Sequence, residues 1–243
     1  MVVNDQKVAV VTGAGRGVGR AIALALARDG FALCLAARTR DQLEQTRTLA
    51  GLAPEHSLIV LIDLAQEDAP DQLFTTAVEH FGHVDVLINN AGWAPARTPL
   101  IRISAADLDR VLAVNLRAPI ALARLAAAHM AQRESGGIIV NIASAAARNT
   151  PAGETVYAAA KAGLVAFTHA CFAELRAHGI KTSVIIPGLV DTPLIPHNKR
   201  LDRGLMLTAA DVAAAAMSIV NAPPGACPLE IVIEPQRDPM RAH

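Results

Sequence analysis

The chain has 243 residues, 52% of them hydrophobic and 18% charged, which is enough to bury a large core and too apolar for bulk disorder. Its 22 basic and 22 acidic residues cancel, so no charge excess draws it to nucleic acid or an acidic membrane face; a small molecule is the expected partner. Cys34, Cys171 and Cys227 are too few and too scattered for a disulfide framework or a zinc site, and read as reduced core cysteines. No basic region followed by an apolar run opens the chain. The most apolar stretch, 118–131, is interrupted by Arg124 and His129 and is shorter than the roughly 20 residues of a bilayer span. The expectation is a soluble cytoplasmic protein with a single domain over 1–243.

Lys7 to Val11 is β-branched or small at nearly every position, as in a strand buried on both faces. Glycines 13, 17 and 19 then crowd one turn, and a helix follows from Gly17 to Arg28, closed by Gly30. Spaced glycines let a backbone turn tightly against a bulky anion, and the N–H groups of a helix start point at it. Thr12 to Gly19 therefore reads as a pyrophosphate cradle. A second strand, Ala32 to Ala37, ends in Arg38. An acid at that place would bind a ribose 2′-hydroxyl and an arginine a 2′-phosphate, so Arg38, with Arg16 in the glycine loop, favours NADP(H) over NAD(H). The plainer reading of Arg38 is that it opens a solvated helix over 41–52.

Ser57 to Ile62 is a third strand ending at Asp63 and Leu64, where Asp63 can also cap the helix near Asp68. A fourth, His83 to Ile88, leads into Asn89-Asn90-Ala91-Gly92, an amide pair able to tie loops together, then small residues beside which a cofactor can pass. Ser104 to Met130 reads as one long helix, with Ser104 as its N-cap and an alanine-rich second half suited to close helix packing or a subunit interface. Asn115 interrupts its apolar pattern, and a buried amide needs partners. Strands at 138–143, 181–186 and 230–234 alternate with helices at 155–178 and 208–221. The alternation predicts a doubly wound α/β fold with a seven-stranded, mainly parallel sheet. Residues 189–207 fit neither period and read as a mobile loop over a pocket.

Tyr157, the one tyrosine, stands four residues before Lys161, on the same face of a predicted helix. A phenol with a pKa near 10 exchanges protons poorly at pH 7, and a neighbouring ammonium is expected to lower that value. Ser144, at the end of the fifth strand, can donate to a carbonyl oxygen as negative charge develops. Asn141 and Ser144 read otherwise as strand-end caps. No Gly-x-Ser-x-Gly elbow and no metal-ligand spacing is present, so serine hydrolysis and a catalytic metal are not expected.

TGAGRGVGRAIA, NNAG, the VNL-x-AP segment around Asn115, Ser144…Tyr157-x-x-x-Lys161 and Pro187-Gly188-Leu189-Val190-Asp191-Thr192 together resemble the short-chain dehydrogenase/reductase family over almost the whole chain. The resemblance implies a catalytic set of Asn115, Ser144, Tyr157 and Lys161, with Asn115 holding a water that links Lys161 to solvent. It implies cofactor contacts from Gly13, Arg16, Gly17, Val18, Gly19 and Arg38, from Asp63 on the adenine, and from Leu64, Asn90, Ala91 and Gly92. Tyr157, Lys161, Pro187, Gly188, Val190 and Thr192 complete that set, the last two toward carboxamide and pyrophosphate. It also implies a homotetramer or homodimer through helices at about 104–130 and 155–178. The expected reaction is NADP(H)-dependent interconversion of a ketone or aldehyde and an alcohol. Trp93, Pro95, Ala145, Arg148, Glu154, Leu189, Leu194 and His197 are candidates to line the substrate pocket. Many members carry a glycine pair after the last strand and a longer lid, whereas this chain reads Cys227-Pro-Leu-Glu-Ile-Val-Ile-Glu-Pro-Gln-Arg-Asp-Pro there, a departure that weakens the narrower reading as a 3-oxoacyl thioester reductase. A cofactor-binding regulator without catalysis and a sugar-nucleotide epimerase are the competitors; the complete triplet disfavours the first and the short segment after Val190 the second.

Overall fold

Val8–Thr12 (β1) is buried along its whole length, and its side chains divide by parity between two cores. In the computed structural model, which describes residues 6–133, 135–193, 195, 198 and 201–240, six further strands join it. They are Ala32–Ala37 (β2), Ser57–Leu61 (β3), Val86–Asn89 (β4), Gly137–Ile142 (β5), Ile180–Pro187 (β6) and Glu230–Ile233 (β7). All pairs are parallel, in the order β3-β2-β1-β4-β5-β6-β7. The chain winds outward from β1 to β3, returns to β4 beside β1 and winds the other way. That reversal opens a crevice at the carboxyl ends of β1 and β4, where ligands of such sheets bind.

Val8 and Val10 face one helical layer with Cys34, Leu87 and Ile139, against Ala69–Phe81 (α3) and Ala118–Arg133 (α5). Ala9 and Val11 face the other with Leu33, Leu35 and Val140, against Gly17–Arg28 (α1) and Ala209–Val220 (α7). Arg40–Leu49 (α2) adds Leu43 to this second layer. Only two-sided burial explains strands so uniformly apolar. Of the cysteines only Cys34 is core; Cys171, near the end of the helix that follows β5, and Cys227, in the loop before β7, are partly exposed.

The long helix expected from Ser104 is interrupted. Ala105–Leu112 (α4), capped by the Ser104 hydroxyl accepting from Asp107 N–H at 3.0 Å, passes through a wide π-turn at Ala113–Arg117 before α5 begins. Pro119 explains the widening: it has no N–H to offer the Asn115 carbonyl, and its ring would collide with that carbonyl in a regular α-helix. Thr155–Leu175 (α6) lies beside β6. The stretches Ala105–Arg133 and Thr155–His178 are long and apolar enough to cross a bilayer, contrary to the estimate from 118–131 alone; both pack on the sheet instead.

Candidate active site

The glycine loop joins β1 to α1 at the crevice. Gly13 and Gly17 have φ of +66° and +55°, values that β-carbons disfavour. A Cβ on Gly13 would come within 2.8 Å of the Asn90 amide nitrogen, and one on Gly19 would run into the Gly13 carbonyl. Thr12 knots the loop to the end of β4. Its hydroxyl donates to the Ile88 carbonyl at 3.2 Å and accepts from the Asn90 and Ala91 N–H groups at 3.0 Å each. The Asn90 amide donates to the Thr12 carbonyl at 2.8 Å.

Two residues that the sequence reading missed brace this loop from behind. Arg20 donates to the Gly15 carbonyl, to Thr46 Oγ1 at 3.1 Å and to Gln45 Oε1 at 2.8 Å, while the Thr46 hydroxyl donates to the Ala14 carbonyl at 2.9 Å. Arg16 precedes α1 and supplies no side-chain cap, and the first turn holds no acid. The helix start, bearing positive potential, thus points its N–H groups into the cleft beside two exposed arginines, Arg16 and Arg38. This donor set fits a dinucleotide: an anion cradle with no room for a Cβ, and a cation at the end of β2. Thr192 lies over the cradle, its methyl carbon 3.4 Å from where a Gly17 Cβ would stand.

Asp63 stands at the carboxyl end of β3. Burial pushes its carboxyl up, but the Ala65 N–H, Arg110 and the positive field of Arg38 together hold it below the usual range. Its ion pair with Arg110 on α4, at 2.8 Å, had no signal in the local sequence, and Leu64 beside it is buried. The carboxylate also accepts from Ala65 N–H at 3.1 Å, a local turn of the chain rather than a cap on the helix at Asp68.

At the other end of the cleft Ser144, Tyr157 and Lys161 converge. The Ser144 hydroxyl accepts from Ala146 N–H at 3.2 Å and stands close enough to the Tyr157 phenol to influence its titration. Lys161, 3% exposed, donates to the Ile142 carbonyl at 2.8 Å, and its nitrogen is 5.8 Å from the Tyr157 ring centre. The expected lowering of the phenol pKa is reversed. Burial pushes Tyr157 up to about 12, with the neighbouring Ser144 hydroxyl lowering it and the Glu154 charge raising it, because the ammonium is directed at a backbone carbonyl and not at the phenol oxygen. Burial pulls Lys161 down to about 8.

Asn115, fully buried in the π-turn, donates to the Trp93 carbonyl at 2.6 Å and the Val111 carbonyl at 2.9 Å, and accepts from Trp93 N–H at 3.3 Å. It fixes the segment after β4 as well as standing near Lys161. Asn141 is no strand-end cap. Inside β5 it accepts from Asn89 at 2.9 Å and donates to Thr168 on α6 at 2.9 Å, a polar rail beneath the site.

A small cavity above Tyr157 is walled by Ala94, Pro95, Ile103, Val111, Glu154 and Val156. Arg97 closes its rim by pairing with Glu154 at 2.7 Å. Trp93, Ala145 and Leu189 are not among its walls, and Arg148 is drawn away into an ion pair with Glu230. Leu194 and His197 lie outside the described residues. Gly188 donates to the Ile233 carbonyl at 2.8 Å, and the Glu234 carboxylate lies against it. The described parts of 189–207 are tied at their ends: Val190 bridges Leu207, and Asp202 N–H donates to the Pro239 carbonyl at 2.8 Å.

With this arrangement in view, comparison with known proteins places the chain in a class. The family described as short chain dehydrogenase matches residues 7–201, and the chain belongs to it. It is 38% identical over 193 residues to the short-chain reductase protein NovJ of Streptomyces niveus, covering 79% of this chain and 72% of that one. A metagenomic short-chain oxidoreductase in complex with NADP superposes with a TM-score of 0.82 at 30% identity, covering 95% of this chain and 98% of the other. The 3-ketoacyl-(acyl-carrier-protein) reductase of Brucella melitensis, complexed with NADH, gives 0.86 at 26% identity, covering 95% and 98%. The protein is an oxidoreductase of this family, with the nicotinamide-cofactor fold the family shares.

Proposed function

We propose that this oxidoreductase interconverts a small ketone or aldehyde and its alcohol, using NADP(H) in preference to NAD(H). The observation that carries the reading is the convergence of the Ser144 hydroxyl, the Tyr157 phenol and the buried Lys161 ammonium at the end of β5, with Lys161 Nζ 5.8 Å from the Tyr157 ring centre. The bound nicotinamide would supply or take the hydride. Ser144 donates to the carbonyl oxygen as charge develops there, and Tyr157, holding its proton until needed, delivers it to the same oxygen. Lys161 and Asn115 hold the site in register, with Lys161 close enough to bias the phenol once a hydroxylic ligand or water bridges the two.

Cofactor preference is supported by the exposed Arg38 and Arg16 and by the absence of an acid at the end of β2. Gly13, Gly17, Val18, Gly19, Asp63, Leu64, Asn90, Ala91, Gly92, Pro187, Gly188, Val190 and Thr192 form the remainder of the proposed cofactor surface. Small residues on the outer side of α6, among them Ala159, Ala162, Ala166 and Ala170, are exposed and support pairing of copies through α5 and α6. The unpaired cysteines support a cytoplasmic setting. Turnover of a panel of small apolar ketones and aldehydes, followed as NADPH oxidation, tests the reading. Reduction of at least one class is expected, faster with NADPH than with NADH; binding of NADPH without turnover of any carbonyl would favour the non-catalytic competitor.

A further inference from the structure

We propose that Arg110 is a positioning residue that couples the adenosine end of the cleft to the carbonyl end, by dividing one guanidinium between the Asp63 carboxylate and the Trp93 ring. The inference deepens the NADP(H) reading and rests on it. Arg110 lies in the last turn of α4. Its Nη2 is 2.8 Å from Asp63 Oδ2, and its central carbon is 5.4 Å from the Trp93 ring centre. Both side chains of the ion pair are 31% exposed, so the contact is partly withdrawn from water.

From Trp93 the path continues through the main chain of the segment after β4. The main-chain N–H and C=O of Trp93 are both held by the Asn115 amide, at 3.3 and 2.6 Å. A Cβ on the preceding Gly92 would stand 3.2 Å from Asn115 Oδ1 and 3.9 Å from Lys161 Nζ. A shift of the Gly92–Trp93 segment as the guanidinium moves over the indole therefore bears on the Asn115 amide, beside Lys161. At the other end, one Asp63 oxygen already accepts from Ala65 N–H, so a ligand donor arriving there shares the carboxylate with Arg110. Weakening that pair lets the guanidinium settle further over the indole. Only a planar cation can serve both partners: lysine keeps the charge near Asp63 and loses the stacking. A merely structural Arg110 would pin α4 to the segment after β3 without any response at Trp93.

Trp93 is the one tryptophan of the chain, so its emission reports on this contact directly. The probe is adenosine 2′,5′-bisphosphate, which fills the adenosine half alone, with binding to the intact protein measured in parallel by calorimetry. Saturation is expected to shift Trp93 emission in the wild type. In Arg110→Lys, binding should persist within about threefold while the emission response disappears. With NADPH and a reducible carbonyl, kcat should fall about fivefold in that variant with little change in the KM for NADPH, a split that loss of a simple cofactor contact does not give. Calorimetric binding with silent Trp93 in the wild type would overturn the coupling alone, as would an Arg110→Lys response equal to the wild type's. Absence of binding would overturn the NADP(H) reading, and the coupling with it.

Discussion

Thr12 offers a test of how the glycine loop is held. The residue is 1% exposed, and its hydroxyl makes three hydrogen bonds, to the Ile88 carbonyl and from the Asn90 and Ala91 N–H groups. Thr12→Val keeps the shape and removes all three. The Ile88 carbonyl retains the Asn90 N–H at 3.1 Å, so the Ala91 N–H is the main orphan, and its residue is only half-buried. At about 1 kcal/mol net per hydrogen bond, with partial rescue by water, the expected loss is about 2 kcal/mol. For a chain of this size that lowers Tm by roughly 4–8 °C. Thr12→Ser keeps the hydroxyl and removes one buried methyl, a loss of about 1 kcal/mol. Urea unfolding followed by circular dichroism ranks the two variants. If apolar burial governed the site, the valine variant would be the more stable, so finding it equal to or above the serine variant would refute the hydrogen-bond account.

Asn141→Leu removes one of two donations of the Asn89 amide, which keeps the Pro119 carbonyl, and the bond that the Thr168 hydroxyl accepts while it still donates to Leu164; it should cost about 1–3 kcal/mol in urea unfolding, and no measurable loss would show the rail to be dispensable. Arg38→Asp should shift the ratio of kcat/KM for NADPH over NADH by about 10–100-fold toward NADH, the worth of one charge-assisted contact, and an unchanged ratio would remove Arg38 from cofactor choice. Stability should depend on pH through Lys161. Its folded pKa of about 8 lies below the ordinary 10.5, so between these values the unfolded chain binds the extra proton and stability rises with pH. Tyr157, raised to about 12 from 10, acts in the opposite sense above pH 10, where the folded chain holds the extra proton. The urea midpoint should therefore climb from pH 8 to 10 and climb less in Lys161→Met; equal slopes would place the titration elsewhere.

The parts of this molecule that were legible in its sequence are those encoded by short spacings. Glycines 13, 17 and 19, the strand parity of Val8 to Val11 and the Tyr157–Lys161 interval each constrain neighbours within one or two turns of chain. The family, the parallel sheet and the crevice followed from them. What escaped was made by partners far apart: Arg110 finds Asp63 across 47 residues and Asn141 finds Asn89 across 52, and no local pattern announces either. The π-turn was open to view in Pro119, whose missing N–H forbids the regular helix expected there. The phenol pKa was misjudged for a different reason: four-residue spacing places Lys161 on the right face, but only the fold shows its nitrogen spent on the Ile142 carbonyl.

The central claim is that the Tyr157 phenol passes the proton to a carbonyl oxygen at this cleft. Tyr157→Phe removes one oxygen atom and leaves the ring in its place. The measurement is carbonyl reduction by this variant with NADPH, with NADPH binding determined on the same sample. The account predicts binding within about threefold of the wild type and turnover lowered by about 100-fold or more, as for loss of a proton donor. Turnover within a few-fold of the wild type would contradict it.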